Sequence, residues 1–282
     1  MPPLQDDRPG DDPPRSGVTA LVVIPYYRTP QYVERAVASV LAQTERDLVC
    51  VVIGDGDEPP LSIRDERLIV HSYPTNRGAY FAQDVAIWAS PFEWYAIVAS
   101  DDWVNPDHLA RLLSHDTDMA CGAVYAHGDR ICAPGHQGHT RCRGRLTLRQ
   151  YEVGAYRTER YREIGAHNPA ERIGQDSLTL ALLRLVAPVG ATKVPTYHRL
   201  HRPGSLCSDP ATSAGSRARQ AMRQRNRAIL AACQAIRRRD PGHLAERIRA
   251  YREALIPSVL WAELAIEVEA LRSKLGTREM AA

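Results

Sequence analysis

"ALVVIPYYRTPQYVERAVASVLAQTERDLVCVVIGDGD", from Ala20 to Asp57, is the stretch whose reading decides the fold. It opens with an apolar run rich in β-branched residues and stopped by Pro25, which reads as a buried strand with a loop from Pro25 to Pro30. "QYVERAVASVLAQ" then sets Val33, Val37, Val40 and Leu41 on one face at helical spacing. "LVCVVIGDGD" repeats the apolar strand with an acidic, glycine-containing end. Strand, helix and strand in that order predict a right-handed βαβ unit, a parallel sheet and the α/β fold class.

The pattern continues outward. "RLIVHSY" is a third strand ending at Pro74, and "GAYFAQDVAIWAS" a helix after the loop "TNRG". "WYAIVAS" is a fourth strand, delivering Asp101 and Asp102. "NPDHLARLLSH" starts a helix with Asn105 as N-cap and Pro106 at the first helical position. "MACGAVYAH" reads as a strand, "ERIGQDSLTLALLRL" as a loop entering a helix with a Leu178, Leu182 and Leu185 stripe, and "HRLHRPGSLCSDP" as a polar loop. Beyond Ser213 the pattern is helical, with a break at Pro257.

At 282 residues the chain can bury a sizeable core, and its net charge of +3 excludes a polycation. No apolar run reaches the roughly 20 residues of a membrane span. Residues 1–17 are Pro- and Asp-rich and read as a disordered arm with no signal-peptide pattern, so a cytoplasmic location is the expectation. The six cysteines are then expected to be thiols or metal ligands.

Acidic residues thus follow two apolar strands: Asp55 and Asp57 after one, Asp101 and Asp102 after another. In open α/β sheets that edge binds ligands. Adjacent carboxylates suit a hard cation that bridges them to substrate phosphates. Read alone, the pair is more readily a capping turn that starts the next helix. The Asp55 cluster beside it favours a nucleotide-diphosphate site.

These segments resemble family 2 glycosyltransferases of the GT-A fold. Ala20–Asp57 resembles the family's opening, "NRGAYFAQDVAIWAS" its next segment, and "ASDDWVNPDHL" its metal-binding acidic motif. "RIGQDSLTLALL" resembles the segment carrying the catalytic base, and "YHRLHRPGSLCS" a C-terminal Tyr/Arg/His/Gly/Ser segment. The resemblance covers roughly Thr19 to Ser208. It implies a GT-A catalytic domain over 18–212, with a nucleotide-sugar-binding half at 18–118 and an acceptor half at 119–212. A helical extension at 213–282 follows.

The resemblance also implies roles. Pro25, Tyr26 and Tyr27 line the base and ribose of a nucleotide-sugar, most often a UDP-sugar, and Asp55 reads the base. Arg77 contacts phosphate or sugar. Asp102 holds Mn2+ or Mg2+ and Asp101 the sugar or ribose, the two roles being exchangeable. Asp176 is the general base of an inverting transfer. His201 is a further metal ligand or diphosphate contact, with Arg199 and Arg202 beside it for phosphate. The acceptor would be a glycan, a lipid-linked or small molecule, or a nucleic acid. Two departures stand out: Ala99 where an Asp is common, and Gln175 where Glu is common. They keep open a non-catalytic binding protein. A nucleotidyltransferase is the other rival, though no Gly-rich phosphate loop follows the first strand.

Three features remain. Cys121, His127, Cys132, His136, His139 and Cys142 crowd into 121–142, where structural zinc competes with an ordinary acceptor loop lacking a CxxC knuckle. Residues 217–239 carry eight arginines and no acidic residue. An anionic membrane surface or nucleic acid would suit them, but a solvated helix packed through its apolar stripe is the favoured reading. Leu260, Leu264, Val268, Leu271 and Leu275 form a stripe suited to packing or to a homodimer.

Overall fold

The computed structural model describes residues 20–127, 154–200, 202–206, 208–213 and 215–279. Eight strands form one sheet. Strand β1 spans Ala20–Tyr26, β2 Leu48–Asp55, β3 Leu68–Tyr73 and β4 Trp94–Ile97. Then come β5 at Trp103–Val104, β6 at Met119–His127, β7 at Gly154–Arg157 and β8 at Gly190–Leu200. The order across the sheet is β3-β2-β1-β4-β7-β6-β8-β5. The first four strands are mutually parallel, β7 runs antiparallel to β4 and β6, and β5 antiparallel to β8.

Side chains alternate across a strand, so each apolar run feeds two cores. Leu21, Val23, Val51 and Ile53 face one of them, together with helix α2 (Ala79–Ala89) and helix α5 (Gln175–Val186). Ala20, Val22, Ile24, Cys50 and Val52 face the other, with helix α1 (Pro30–Leu41) and helix α3 (His108–Leu113). The chain leaves β1 through α1 towards β2 and β3, then returns through α2 to β4 on the other side of β1. The sheet's switch point therefore lies between the C-terminal ends of β1 and β4, where such folds open a crevice.

Pro25 fits inside β1 for a local reason. Val98 donates its N–H to Val23 O at 3.0 Å, so Val23 faces β4. Pro25 faces the same way two residues later, past the end of β4, where no ladder bond is required of it.

The remaining helices close the first of these cores, the one that Leu21, Val23, Val51 and Ile53 face. Helix α4 (Thr158–Glu163) follows β7, and helix α6 (Arg217–Arg239) packs on α5. After a 3-10 turn at Pro241–His243 come α7 (Leu244–Glu253) and α8 (Ser258–Glu279). The chain breaks at Pro257, as its sequence predicts. Helix α8 lies against α2 and β3, with Leu264, Val268, Leu271 and Leu275 buried. The stripe offered for packing or dimerisation is thus taken up within the chain. Met222 and Cys233 are the buried residues of α6, while Arg217, Arg223, Arg227 and Arg237–Arg239 are exposed. Among the described residues no helix is long and apolar enough to cross a membrane.

Three local expectations need correction. Helix α3 begins at His108, and Asn105 does not cap it. Asn105 instead accepts from His108 N through its carbonyl and meets His198 Nε2 at 2.7 Å through Oδ1. Residues 198–200 are not loop but the end of β8, which the sequence reading missed along with β5 and β7. Each of these three strands is short or interrupted by polar residues and proline, so none shows period-two alternation.

Candidate active site at the switch point

Asp101 and Asp102 sit in a turn closed by Asp102 N to Ala99 O at 3.0 Å, just beyond β4. The two carboxylates differ sharply. Asp102 is 2% exposed. Its Oδ2 accepts from the Tyr197 hydroxyl at 2.8 Å, and its Oδ1 accepts from Leu200 N at 2.8 Å. Arg199 Nε lies 3.9 Å from Oδ2. Burial, then the charge of Asp101, push the Asp102 carboxyl up to about 7; Arg199, Leu200 N–H and Tyr197 oppose the rise. Asp101 is less buried and pairs with Arg202, Nε to Oδ2 at 2.6 Å. Arg35 adds a third guanidinium, donating to Asp101 O at 3.0 Å and lying 3.8 Å over the Trp103 ring.

This donor set fits a divalent cation of one kind only. Among the described residues no three His, Cys, Asp or Glu side chains gather to hold a metal ion. A closed protein cage is therefore not built. Mg2+ and Mn2+ need only one or two carboxylates when substrate phosphates and water complete the shell. Adjacent carboxylates, the buried one with its pKa driven upward, are a setting that such a cation relieves.

Across the switch point, the loop after β1 is tied to this turn by a buried hydrogen bond between Thr29 Oγ1 and Ser100 Oγ at 2.8 Å. Tyr26 is buried at the strand end, its hydroxyl pKa raised by burial and then by Asp57. Tyr27 is 40% exposed, with the Arg28 guanidinium 5.1 Å from its ring centroid. Arg28 itself has φ 51°, a region that non-glycine residues rarely enter, and donates its N–H to Asp57 Oδ2 at 3.2 Å.

Asp55, at the end of β2, is buried. Its carboxylate accepts from Asn76 Nδ2 at 2.9 Å, Arg77 N at 2.5 Å and Gly78 N at 2.7 Å. It therefore satisfies the backbone donors that enter α2, whose N-cap Gly78 has φ 101° and offers no side chain for the task. Arg77 turns away to Glu263 of α8, at 2.9 Å.

Asp176 occupies the first turn of α5, after Gly174 in a left-handed conformation. Tyr80 donates its hydroxyl to Asp176 Oδ1 at 3.2 Å. Gln175 is buried and accepts from Asn168 N at 3.3 Å. Arg172 reaches back to Asn76, with bonds of 2.5 Å to Oδ1 and 2.9 Å to the carbonyl. A continuous chain Asp55–Asn76–Arg172 thus joins the end of β2 to the loop preceding Asp176.

A family model, "Glycosyl transferase family 2", matches residues 21–177, more than half of the chain. The chain belongs to glycosyltransferase family 2. It is 33% identical over 96 residues to the succinoglycan biosynthesis protein ExoO of Rhizobium meliloti (strain 1021), covering 32% of this chain and 28% of that protein. It is 24% identical over 116 residues to glycosyltransferase GlyA of Streptococcus pneumoniae serotype 4, covering 37% of this chain and 16% of that protein. The matched stretches thus span well under half of those relatives. Crystal structures of S. aureus TarS share the fold. The 1–349 form with UDP-GlcNAc superposes with a TM-score of 0.55 at 18% identity, covering 67% of this chain and 60% of that chain. The 1–349 form with UDP gives 0.53 at 16% identity, covering 94% and 92%. The family 2 chain thus has the expected α/β sheet flanked by helices, parallel over its first four strands and mixed beyond them, with further helices at its C-terminal side.

Several residues of this candidate site were given no role from the sequence. Tyr197 opens the segment "YHRLHRPGSLCS", but its part as the partner of Asp102 was missed because β8 went unrecognised. Tyr80, Arg172 and Arg35 gave no local signal beyond their residue type. His201 lies outside the described residues, as does most of the Cys/His cluster. Within that cluster Cys121 is a buried free thiol whose pKa burial pushes up to about 11.

Proposed function

We propose that the chain is an inverting glycosyltransferase that moves a sugar from a nucleotide diphosphate sugar, a UDP-sugar by preference, to an acceptor hydroxyl. Beside family membership, the observation that carries this reading is the Asp55–Asn76–Arg172 chain. It fastens the donor-side strand end to the loop that presents Asp176. The binding of UDP-GlcNAc and UDP by TarS supports the choice of donor.

The exposed Tyr27 ring offers a face for the base. Asp55 holds the loop closing that side, and on this reading it is the carboxylate that reads the base. Pro25 and Tyr26 shape the strand end beneath the ribose. Arg199 and Arg202, with His201, meet the diphosphate, and Arg77 is held in reserve by Glu263. A divalent cation, held by Asp101 and Asp102, would neutralise charge on the leaving diphosphate.

Asp176 takes the proton from the acceptor hydroxyl as its oxygen bonds to the anomeric carbon. The bond from that carbon to the phosphate oxygen breaks on the opposite face. Its electron pair leaves with the nucleoside diphosphate, and the anomeric configuration inverts. Positioning and charge neutralisation do most of this work.

The test is a panel of nucleotide-sugars with Mn2+, read first by thermal shift, since a true donor stabilises the fold by mass action. Nucleoside diphosphate release then follows, with Asp101→Asn and Asp176→Asn as controls. Stabilisation by a UDP-sugar and loss of turnover in both variants are expected. No binding and no turnover of any nucleotide-sugar would sink the reading, and release of pyrophosphate from nucleoside triphosphates would replace it with nucleotidyl transfer.

A further inference from the structure

The donor side of the site is built from strand ends, but Asp176 stands on a helix reached through a loop. Something must hold its carboxylate to within a few tenths of an ångström of the acceptor. The Tyr80 hydroxyl is placed to do so, 3.2 Å from Oδ1. Tyr80 itself lies in the first turn of α2, nearly buried, and its ring stands 4.9 Å from that of His167.

Behind Tyr80 is a polar cluster in an otherwise apolar core. His167 is fully buried, and Asp84 is 1% exposed. His167 Nδ1 lies 2.9 Å from Asp84 Oδ1, and the His167 backbone N–H donates to the same oxygen at 3.1 Å. The Tyr161 hydroxyl of α4 lies 2.5 Å from Nε2, the ring nitrogen that Asp84 leaves open. Tyr80 and Asp84 are four residues apart on one face of α2, so the helix presents both to His167. His167 follows Ala166, whose φ of 51° is strained for a residue with a Cβ.

A carboxylate and a histidine buried together stabilise a fold poorly, because their desolvation offsets most of their attraction. Their use is directional: a fully partnered polar cluster fixes one arrangement where apolar packing tolerates several. Here the fixed object is the ring of Tyr80 and the loop 165–174.

We propose that Tyr80 is a positioning residue for Asp176. Its hydroxyl fixes the carboxylate against the acceptor, and the Asp84–His167–Tyr161 cluster holds its ring. The inference rests on the reading of Asp176 as the base.

The full chain is assayed for UDP release with Mn2+ from UDP-GlcNAc, UDP-glucose and UDP-galactose, and the donor turned over fastest is kept. Tyr80→Phe retains the ring against His167 and removes only the hydroxyl. It should lower kcat by about tenfold to a hundredfold, leave the donor KM unchanged and leave Tm within a few degrees. Asp176→Asn should lower kcat by roughly 10²–10⁴-fold. Adding Tyr80→Phe to Asp176→Asn should cost nothing more, since the hydroxyl acts only through that carboxylate. Asp84→Asn, which keeps the volume of the cluster, should show a smaller kcat loss of the same kind.

If Asp176→Asn turns over normally, or no donor is used, the base reading falls and this inference with it. If Asp176→Asn is impaired but Tyr80→Phe has normal kcat, the base stands and the positioning role is overturned. Multiplication of the two losses in the double variant also overturns it, because that is how a merely structural defect behaves.

Discussion

Arg202 Nε stands 2.6 Å from Asp101 Oδ2, so the more accessible carboxylate of the acidic turn already carries a cation. The guanidinium also lies 5.8 Å from the Tyr32 ring centroid, which holds it over the turn. A divalent ion must share Asp101 with Arg202 or displace it towards the diphosphate. Arg202→Gln should therefore bind Mn2+ a few-fold more tightly without nucleotide and bind UDP more weakly. Free Mn2+ measured by electron paramagnetic resonance checks the first and calorimetry the second. Equal Mn2+ affinity in both proteins would mean that the ion does not compete with Arg202.

Asp102 sets a trade of stability for function. Its carboxyl is pushed up to about 7 by burial and by Asp101, from an ordinary value of 3.8. A raised folded pKa lends stability that is complete below the ordinary carboxylate range and lost as pH rises through about 7. Without added cation or nucleotide, Asp102→Asn should melt higher than the wild type at about pH 8 and close to it at about pH 5. It should also lose turnover. Thermal unfolding at the two pH values decides it, and a less stable Asn variant at the higher pH would contradict the account.

His108 acts in the opposite sense. It is buried, its Nδ1 is 2.7 Å from Thr196 Oγ1, and burial lowers its pKa from 6.5 to about 4. A lowered folded pKa gives stability that is full above 6.5 and lost as pH falls towards 4. At about 1.4 kcal/mol per pKa unit, this group alone removes on the order of 3 kcal/mol over that window. His108→Asn should be less stable at neutral pH through lost packing, yet flatter on the acid side. Urea unfolding from about pH 7 to 4 measures both.

Thr29 and Ser100 join the loops on either side of the switch point at 2.8 Å. Thr29→Val keeps the shape and leaves the buried Ser100 hydroxyl without this partner. A loss of about 1–2 kcal/mol is expected, with weaker UDP binding because the two loops separate. Unchanged UDP affinity would confine the bond to a purely structural part.

Arg172→Ala cuts the link from Asn76 to the loop before Asp176. Its side chain is exposed, so the fold should lose under about 1 kcal/mol. If Asp176 is the base, kcat should fall by roughly tenfold while the donor KM stays put, because the loss is one of geometry at that carboxylate. Steady-state kinetics beside a melting curve separates the two effects.

How much of this was legible in the sequence depends on how local the cause is. The apolar runs at Leu21–Ile24, Val49–Ile53 and Ile69–Val70, and the helical stripe at Val33, Val37 and Val40, predict strands and helix where they stand. Their alternation with acidic ends places a ligand site at the sheet edge before any coordinates are known. The basic segment 217–239 emerges as one helix from Arg217 to Arg239, again as its local pattern predicts.

Strand β5 has two residues and exists only because Trp103 and Val104 pair with His198 and Tyr197 of β8. Strand β8 carries Lys193, Pro195, His198 and Arg199, so its alternation is blurred. The same non-local pairing decides the site. Asp102 and Tyr197 are 95 residues apart, as the bond between them spans the sheet. The sequence by itself determined the α/β class and the strand ends at which acidic residues gather as a candidate site, because periodicity and strand ends are properties of short stretches. Only the tertiary structure decided which carboxylate is buried, which arginine neutralises its neighbour and which tyrosine reaches Asp176. Burial, charge pairing and pKa depend on atoms that the folded sheet brings together from distant parts of the chain.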